Sequence, residues 1–169
     1  MKRIIGVFVL TVMLLSVLTS CALTVAAPTV KSGEFDFSVT YAVNGIENTV
    51  SGVYACEYKG IGWAMDSQGF REWSGEINGG EIDEDYAVAK TEDGGTVYLL
   101  FGLSPDYFMG DPDGYDRVPV PSLLVKYPED EYGGIRIIVD ADIIDEAYGV
   151  KIVSFLYDEP IENSFVLFG

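Results

Sequence analysis

Four closely spaced aspartates are the residues of this chain best suited to bind a metal ion. Asp106, Asp111, Asp113 and Asp116 lie in a proline-rich stretch, residues 104–121. Carboxylate oxygens are the ligands of Ca²⁺, which takes about six to eight oxygens. The spacing is loosely that of calcium loops, but the order of ligands and glycine differs from an EF-hand. Aspartates beside proline and glycine also form turns through Asx hydrogen bonds, so calcium binding and plain turn formation both stay open.

Aromatic residues in the same stretch offer a second kind of site. Tyr107, Phe108 and Tyr115 lie between prolines, where a loop has less core to fill than a strand. Long loops on a rigid sheet often carry binding sites, so these three side chains are predicted to form a binding rim. In contrast, the aromatics within strand-like runs are expected to fill the core: Trp63, Trp73 and Tyr98.

A further acidic string, Glu81-Ile82-Asp83-Glu84-Asp85, resembles the Glu-x-Asp-x-Glu strand signature of jelly-roll β-glucan hydrolases. The resemblance implies that two carboxylates act as nucleophile and acid/base, which retaining hydrolysis places about 5–5.5 Å apart. Here Asp85 stands where the second glutamate belongs, the string follows Asn78-Gly79-Gly80 like a turn, and the chain is shorter than that family's domain. A carboxylate-dependent hydrolase of envelope polysaccharide is therefore the alternative function, not the leading one.

The chain contains no histidine, which excludes many kinds of catalytic site. Ser-His-Asp and Cys-His triads and HExxH zinc sites cannot be built in their usual form. Walker loops, GxGxxG turns and CxxC pairs are also missing from the sequence. Cys56, between Ala55 and Glu57 in a strand-like run, is predicted to be a buried, inert thiol. Non-catalytic binding modules and carboxylate-only enzymes are what remain.

The N-terminus carries an export signal. Lys2 and Arg3 precede an apolar run, and Leu18-Thr19-Ser20-Cys21 matches the lipobox of bacterial lipoprotein signal peptides. The match implies that Cys21 receives a diacylglyceryl group and becomes the first residue after cleavage, so the chain is anchored to the membrane without spanning it. Two other possibilities are an uncleaved anchor helix over residues 4–27 and ordinary cleavage near Ala26-Ala27-Pro28. Each places the body of the chain outside the cytoplasm.

Charge narrows the range of partners. Loss of residues 1–20 leaves 8 basic and 27 acidic residues, which changes the formal charge from −17 to −19. The remaining cations form no stripe, so nucleic acid is not expected as a partner. Beyond the membrane reached through the lipid, an envelope protein or glycan is the expected partner. Apart from calcium, no cofactor is predicted.

The body of the chain shows the pattern of an all-β fold. Phe35, Phe37, Val39, Tyr41 and Val43 alternate with smaller or polar residues, Asn44-Gly45 predicts a type I′ hairpin turn, and a return strand covers residues 47–58. Further strands are predicted over residues 61–65, 70–77, 86–91, 96–103, 123–127, 135–139, 151–157 and 164–168.

A single short helix is expected near residues 141–148, capped by Asp140 or Asp142 and ended by Gly149. The acidic residues of this region, Asp140, Asp142, Asp145 and Glu146, are interpreted as caps and solvated charge. Together the patterns predict an antiparallel β-sandwich, with a β-barrel as the second choice. The expected organisation is a signal peptide over residues 1–20, a lipidated tether over 21–33 and one domain over 34–169.

The opening strand Phe35-x-Phe37-x-x-Thr40-Tyr41, the tripeptide Arg71-Glu72-Trp73 and the closing segment from Pro160 to Phe165 are similar to uncharacterised lipoproteins of Clostridia-like Gram-positive bacteria. That resemblance implies no activity and no site residues. The sequence therefore predicts a surface lipoprotein that binds an envelope protein or glycan through residues 104–121. A structural subunit of a surface assembly is a third possibility.

Overall fold

The structure is a computed structural model that describes residues 25–64, 69–77, 80–81, 86–114, 117–128 and 137–166. Cys21, Asp83, Asp85, Tyr115 and Asp116 lie outside these ranges, so the predictions that concern them stay predictions. Within the ranges, no helix has the length and apolar character needed to span a membrane. The strands are β1 Ala27–Pro28, β2 Ser32–Val43, β3 Ile46–Trp63, β4 Gly69–Ile77, β5 Gly80–Glu81, β6 Tyr86–Lys90, β7 Thr96–Leu100, β8 Ser122–Lys126, β9 Ile137–Ile138, β10 Val150–Tyr157 and β11 Phe165–Val166.

The strands form two main antiparallel sheets and a short ribbon. The larger sheet has the order β10-β2-β3-β4-β5, the smaller has the order β6-β7-β8-β9, and β1 pairs with β11. The helical parts are α1 Pro105–Phe108, a 3-10 turn Pro112–Gly114 and α2 Ala141–Tyr148. The predicted all-β, antiparallel fold class is confirmed.

The core lies between the two sheets because the inward positions of their strands are apolar. Phe35, Phe37, Val39 and Tyr41 are buried at every second position of β2, as the alternation predicts. The Phe37 ring meets that of Phe101, which follows β7, with ring centres 5.2 Å apart. Cys56 of β3 is buried as predicted, and burial raises the pKa of its thiol to about 12.

Two local predictions are confirmed in detail. Asn44 and Gly45 have φ of 51° and 79° and join Val43 directly to its partner Ile46, which is the two-residue hairpin expected of Asn-Gly. The carboxylate of Asp140 accepts hydrogen bonds from the backbone N–H groups of residues 142 and 143 and caps α2. Gly149 ends that helix in the left-handed conformation, with φ of 64°.

Other predictions were wrong. Residues 47–58 and 61–65 are not two strands, because β3 continues through a bulge near Gly60, whose φ is 136°; a bulge bends a strand without ending it. Ala27 and Pro28, which lie within the predicted tether of residues 21–33, are buried and pair with β11. Trp63 is not a core residue, because its side chain at the end of β3 is 59% exposed.

Candidate functional site: an arginine–aspartate cleft

Within the predicted loop of residues 104–121, the described residues 105–113 lie against β4 instead of forming an open loop. Phe108 and Met109 are fully buried in the core. The backbone N–H of Ile161 donates to the carbonyl of Phe108 at 3.0 Å, and the side-chain amide of Asn163 donates to the carbonyl of Met109 at 3.0 Å. Gly110, with φ of 63°, lies against the carbonyl of Ile161, where a side chain would collide. These contacts hold the segment in one place over the sheet.

Arg71 and Asp111 form a buried ion pair at the centre of this contact. Arg71 Nε and Nη2 donate to the two carboxylate oxygens of Asp111, each at 2.6 Å. The exposed fractions of the two side chains are only 9% and 2%. Asp111 also accepts from Trp73 Nε1 at 2.8 Å and from the backbone N–H of Asp113 at 3.0 Å. Both carboxylate oxygens are therefore fully used inside the protein.

Strand periodicity explains why these partners meet. Arg71 and Trp73 are two residues apart on β4, so they face the same side of the sheet. Gly75 lies on that side too, because a Cβ on it would meet the buried Tyr54 side chain. A guanidinium that faces a core needs a carboxylate partner, and the segment of residues 104–121 supplies Asp111. Arg71 also lies over the Phe165 ring, with its Cζ 4.6 Å from the ring centre.

A second layer of charge surrounds the pair and is open to solvent. Arg71 Nη2 also contacts Asp113 Oδ2 at 2.6 Å, and Asp113 is 77% exposed. Arg117, which is 65% exposed, contacts Asp106 Oδ2 through Nη1 at 2.6 Å. Cations and carboxylates thus alternate around this surface.

These side chains line a cleft of about 280 Å³, here named the arginine–aspartate cleft. Its lining consists of Phe70, Arg71, Glu72, Trp73, Asp106, Asp111, Asp113 and Arg117. Four consecutive β4 residues take part, so the cleft follows the edge of that strand. β5 pairs only with Glu76 and Ile77. Among the described residues, no strand pairs with residues 69–75 on this side.

The pKa values of two carboxyls in the cleft are shifted in opposite directions. Burial raises the pKa of Asp106 above its ordinary value. Burial acts in the same direction on Asp111, but hydrogen bonds from Arg71, Trp73 and the Asp113 backbone outweigh it and lower the pKa of Asp111. Asp111 therefore stays ionised to a lower pH than an ordinary aspartate, whereas Asp106 takes up a proton at a higher pH.

The predicted calcium residues are brought together in part. Asp106, Asp111 and Asp113 all line the cleft, but Arg71 and Arg117 lie among them as counter-charges. In the part of the chain that the structure describes, no group of three or more His, Cys, Asp or Glu side chains is arranged to hold a metal ion. Calcium binding stays a prediction, and it requires Arg71 to release the carboxylates that it holds.

The predicted aromatic rim was wrong for Phe108, since this side chain is fully buried against Phe35 and Tyr54. Tyr107 is part-buried and packs edge-on against Tyr157, with ring centres 6.2 Å apart. Burial, followed by a hydrogen bond with Tyr157, raises the pKa of Tyr107 to about 12. The aromatic side chains that line the cleft come from β4 instead: Phe70 and Trp73.

Arg71 was missed as a site residue by sequence reasoning, although a signal was present. It shares the inward parity of Trp73, and a cation at such a position points to a buried carboxylate elsewhere in the chain. Comparisons with protein-family models, curated proteins and solved structures gave no match to this chain. The cleft is therefore interpreted from its own geometry.

Proposed function

We propose that this chain is a lipid-anchored, extracytoplasmic binding domain and that a neutral glycan of the cell envelope binds in the arginine–aspartate cleft. The observation that carries the proposal is the cleft itself, in which exposed charges of both signs surround a floor fixed by Arg71 and Asp111. Ligand sites combine such fixed polar groups with apolar surface in a concave pocket.

The accessible groups match the chemistry of a sugar. The exposed carboxylate of Asp113 accepts hydrogen bonds, and the exposed guanidinium of Arg117 donates them. Sugar hydroxyls do both. The Phe70 ring is 46% exposed and offers a face on which a sugar ring can stack. A strongly charged ligand would meet like charge whichever sign it carried, so an uncharged polyhydroxyl ligand is favoured.

The test is retention of the purified chain on insoluble cell-wall polysaccharide. We expect the wild type to be retained, and Asp113→Asn together with Arg117→Gln to lose retention while keeping the melting temperature. A matched control is Asp145→Asn, which removes one partner of an exposed ion pair with Lys151 on another part of the surface. Equal retention of all three proteins would contradict glycan binding in this cleft.

Hydrolysis of the same polysaccharide is the second candidate, and the raised pKa of Asp106 favours it. A carboxyl that keeps its proton more readily is suited to act as the general acid. Asp111, however, is buried with both oxygens bonded, so Asp113 is the carboxylate left to act beside Asp106. Release of new reducing ends, abolished by Asp106→Asn, would support hydrolysis; retention without product would support binding alone.

A further inference from the structure

The chain joins the described domain beside Trp63. A Cβ built on Gly69 would lie 2.8 Å from Val25 Cγ2, 3.5 Å from Ile61 Cγ2 and 3.6 Å from Trp63 Cζ3. The side chains of Val25, Ile61 and Trp63 therefore meet over Gly69, the β4 residue that pairs with Trp63. The segment that leads to the N-terminus leaves the domain at this end of the β3–β4 pair.

This end exposes apolar side chains, although the domain as a whole is acidic. Trp63 is more than half exposed. Val166 of β11, which pairs with Ala27, is also exposed. Tryptophan is the residue most typical of the interfacial region of a bilayer, where an amphipathic ring is solvated at one edge and buried at the other.

Charge around this end differs from the rest of the chain. Residues 25–31 and 57–72, together with the Asp111 and Asp113 side chains that contact Arg71, contain three basic and five acidic residues, whereas the other residues after position 20 contain five basic and 22 acidic ones. The remainder of the chain after residue 20 is strongly acidic. An anionic lipid surface repels such a domain over most of its area, so a less acidic end can approach a membrane at a lower electrostatic cost.

The distance to the proposed anchor limits how far this end of the domain can lie from the membrane. Val25 is the fourth residue after Cys21, and four residues span at most about 14 Å even when fully extended. Acyl chains on Cys21 would thus hold Val25 and its neighbour Trp63 at the membrane surface. Such a tether gives a high effective concentration, so a small apolar contact is enough to dock the domain.

We propose that the Trp63 end of the β3–β4 pair is a docking surface for the lipid bilayer, with the Trp63 ring in the interfacial region. This inference rests on the proposed lipid anchor at Cys21 and goes beyond it, because an anchor alone leaves the domain free to present any face.

The test uses tryptophan fluorescence of the lipidated full chain in vesicles of phosphatidylcholine and phosphatidylglycerol, prepared with ordinary or brominated acyl chains. Trp63 and Trp73 are the only tryptophans of the chain. Three proteins are compared: the wild type, Trp63→Phe, and Trp63→Phe combined with Ile46→Trp. Ile46 is a matched position, since it is 70% exposed at the opposite end of the same strand.

We expect brominated lipid to quench the wild type, and Trp63→Phe to lose most of this quenching. Moving the tryptophan to position 46 should not restore it. Equal quenching of the three proteins, or none in any of them, would overturn the docking surface. Intact mass reports the acyl group separately: a chain without lipid overturns the anchor and this inference together, whereas a lipidated chain without quenching overturns the docking alone. Neither result depends on glycan retention.

Discussion

Replacement of Asp111 by asparagine tests the ion pair on which the cleft is built. Removing one partner of a buried ion pair costs about 3–5 kcal/mol of folding free energy, because the other charge is left buried. Asparagine keeps the size of the side chain and one acceptor oxygen. It removes the negative charge that receives both Arg71 Nε and Nη2. Asp113 still contacts Arg71 Nη2, so we expect a loss near the lower limit, about 3 kcal/mol.

Urea and thermal unfolding measure this loss. In a domain near 150 residues, each kcal/mol lowers Tm by about 2–4 °C, so Asp111→Asn should lower it by about 6–12 °C. Asp113→Asn is the matched control, because it removes a highly exposed partner of the same arginine and should cost less than about 1 kcal/mol. A double variant, Arg71→Met with Asp111→Leu, should be more stable than Asp111→Asn, since it leaves no charge unpaired.

The result that would refute this reasoning is a similar loss in the two single variants. Equal losses for Asp111→Asn and Asp113→Asn would mean that Arg71 does not distinguish a buried carboxylate from an exposed one. An unchanged Tm in Asp111→Asn would mean that core packing of Phe108 and Met109 alone holds residues 104–121 in place. In either case the floor of the cleft would not be the rigid part of the site.

Three further predictions concern pH, packing and capping. Because the pKa of Asp111 is lowered in the folded state, this residue stabilises the fold fully above its unfolded pKa of about 3.9, and the stabilisation is lost as the pH falls through the folded pKa. Because the pKa of Asp106 is raised, its stabilisation is complete below about 3.9 and is lost as the pH rises through the folded pKa. In urea unfolding across the acid range, Asp111→Asn should therefore reduce the loss of stability that occurs as the pH falls. Asp106→Asn should reduce the loss of stability that occurs as the pH rises. Gly75→Ala should destabilise by about 1–3 kcal/mol in urea unfolding, because its new methyl group meets the buried Tyr54 side chain, whereas Ser74→Ala next to it should stay within about 0.5 kcal/mol. Asp140→Ala should cost about 1 kcal/mol in the same assay by removing the cap of α2, and an equal cost for Asp142→Ala would contradict the capping role.

Features that depend on a few neighbouring residues could be predicted from the sequence. Asn44-Gly45 determines a tight turn because both residues tolerate positive φ, and Asp140 and Gly149 end α2 for equally local reasons. The alternation of apolar and polar residues in β2 likewise identifies its buried face from neighbouring residues alone. Gly60 shows the limit of this approach. A glycine between two apolar runs indicates a strand end as readily as a bulge, and only its pairing with β4 makes it a bulge.

The candidate site depended on contacts that no local pattern contains. Arg71 and Asp111 are forty residues apart, and the aspartates of residues 104–121 have the same spacing whether their partner is an arginine or a calcium ion. Phe108 was assigned to a rim because it lies between prolines. Its burial follows from α1, a single turn that points this side chain at Phe35 and Tyr54. The Arg71–Asp111 contact and the burial of Phe108 both depend on residues that are far apart in the sequence.

The two proposals together predict where a bound glycan lies relative to the bilayer. Phe70 lines the cleft and directly follows Gly69, over which Val25 and Trp63 meet. At about 3.3 Å per residue, residues 70–73 lie about 3–13 Å along β4 from Gly69, which is beside the proposed bilayer contact. A glycan held in the cleft would then lie near the lipid head groups, so the domain suits a membrane-proximal saccharide better than the outer part of a wall polymer. A lipidated chain should accordingly bind a glycan attached to the same vesicle more tightly than the same glycan in solution, because both are confined to one surface.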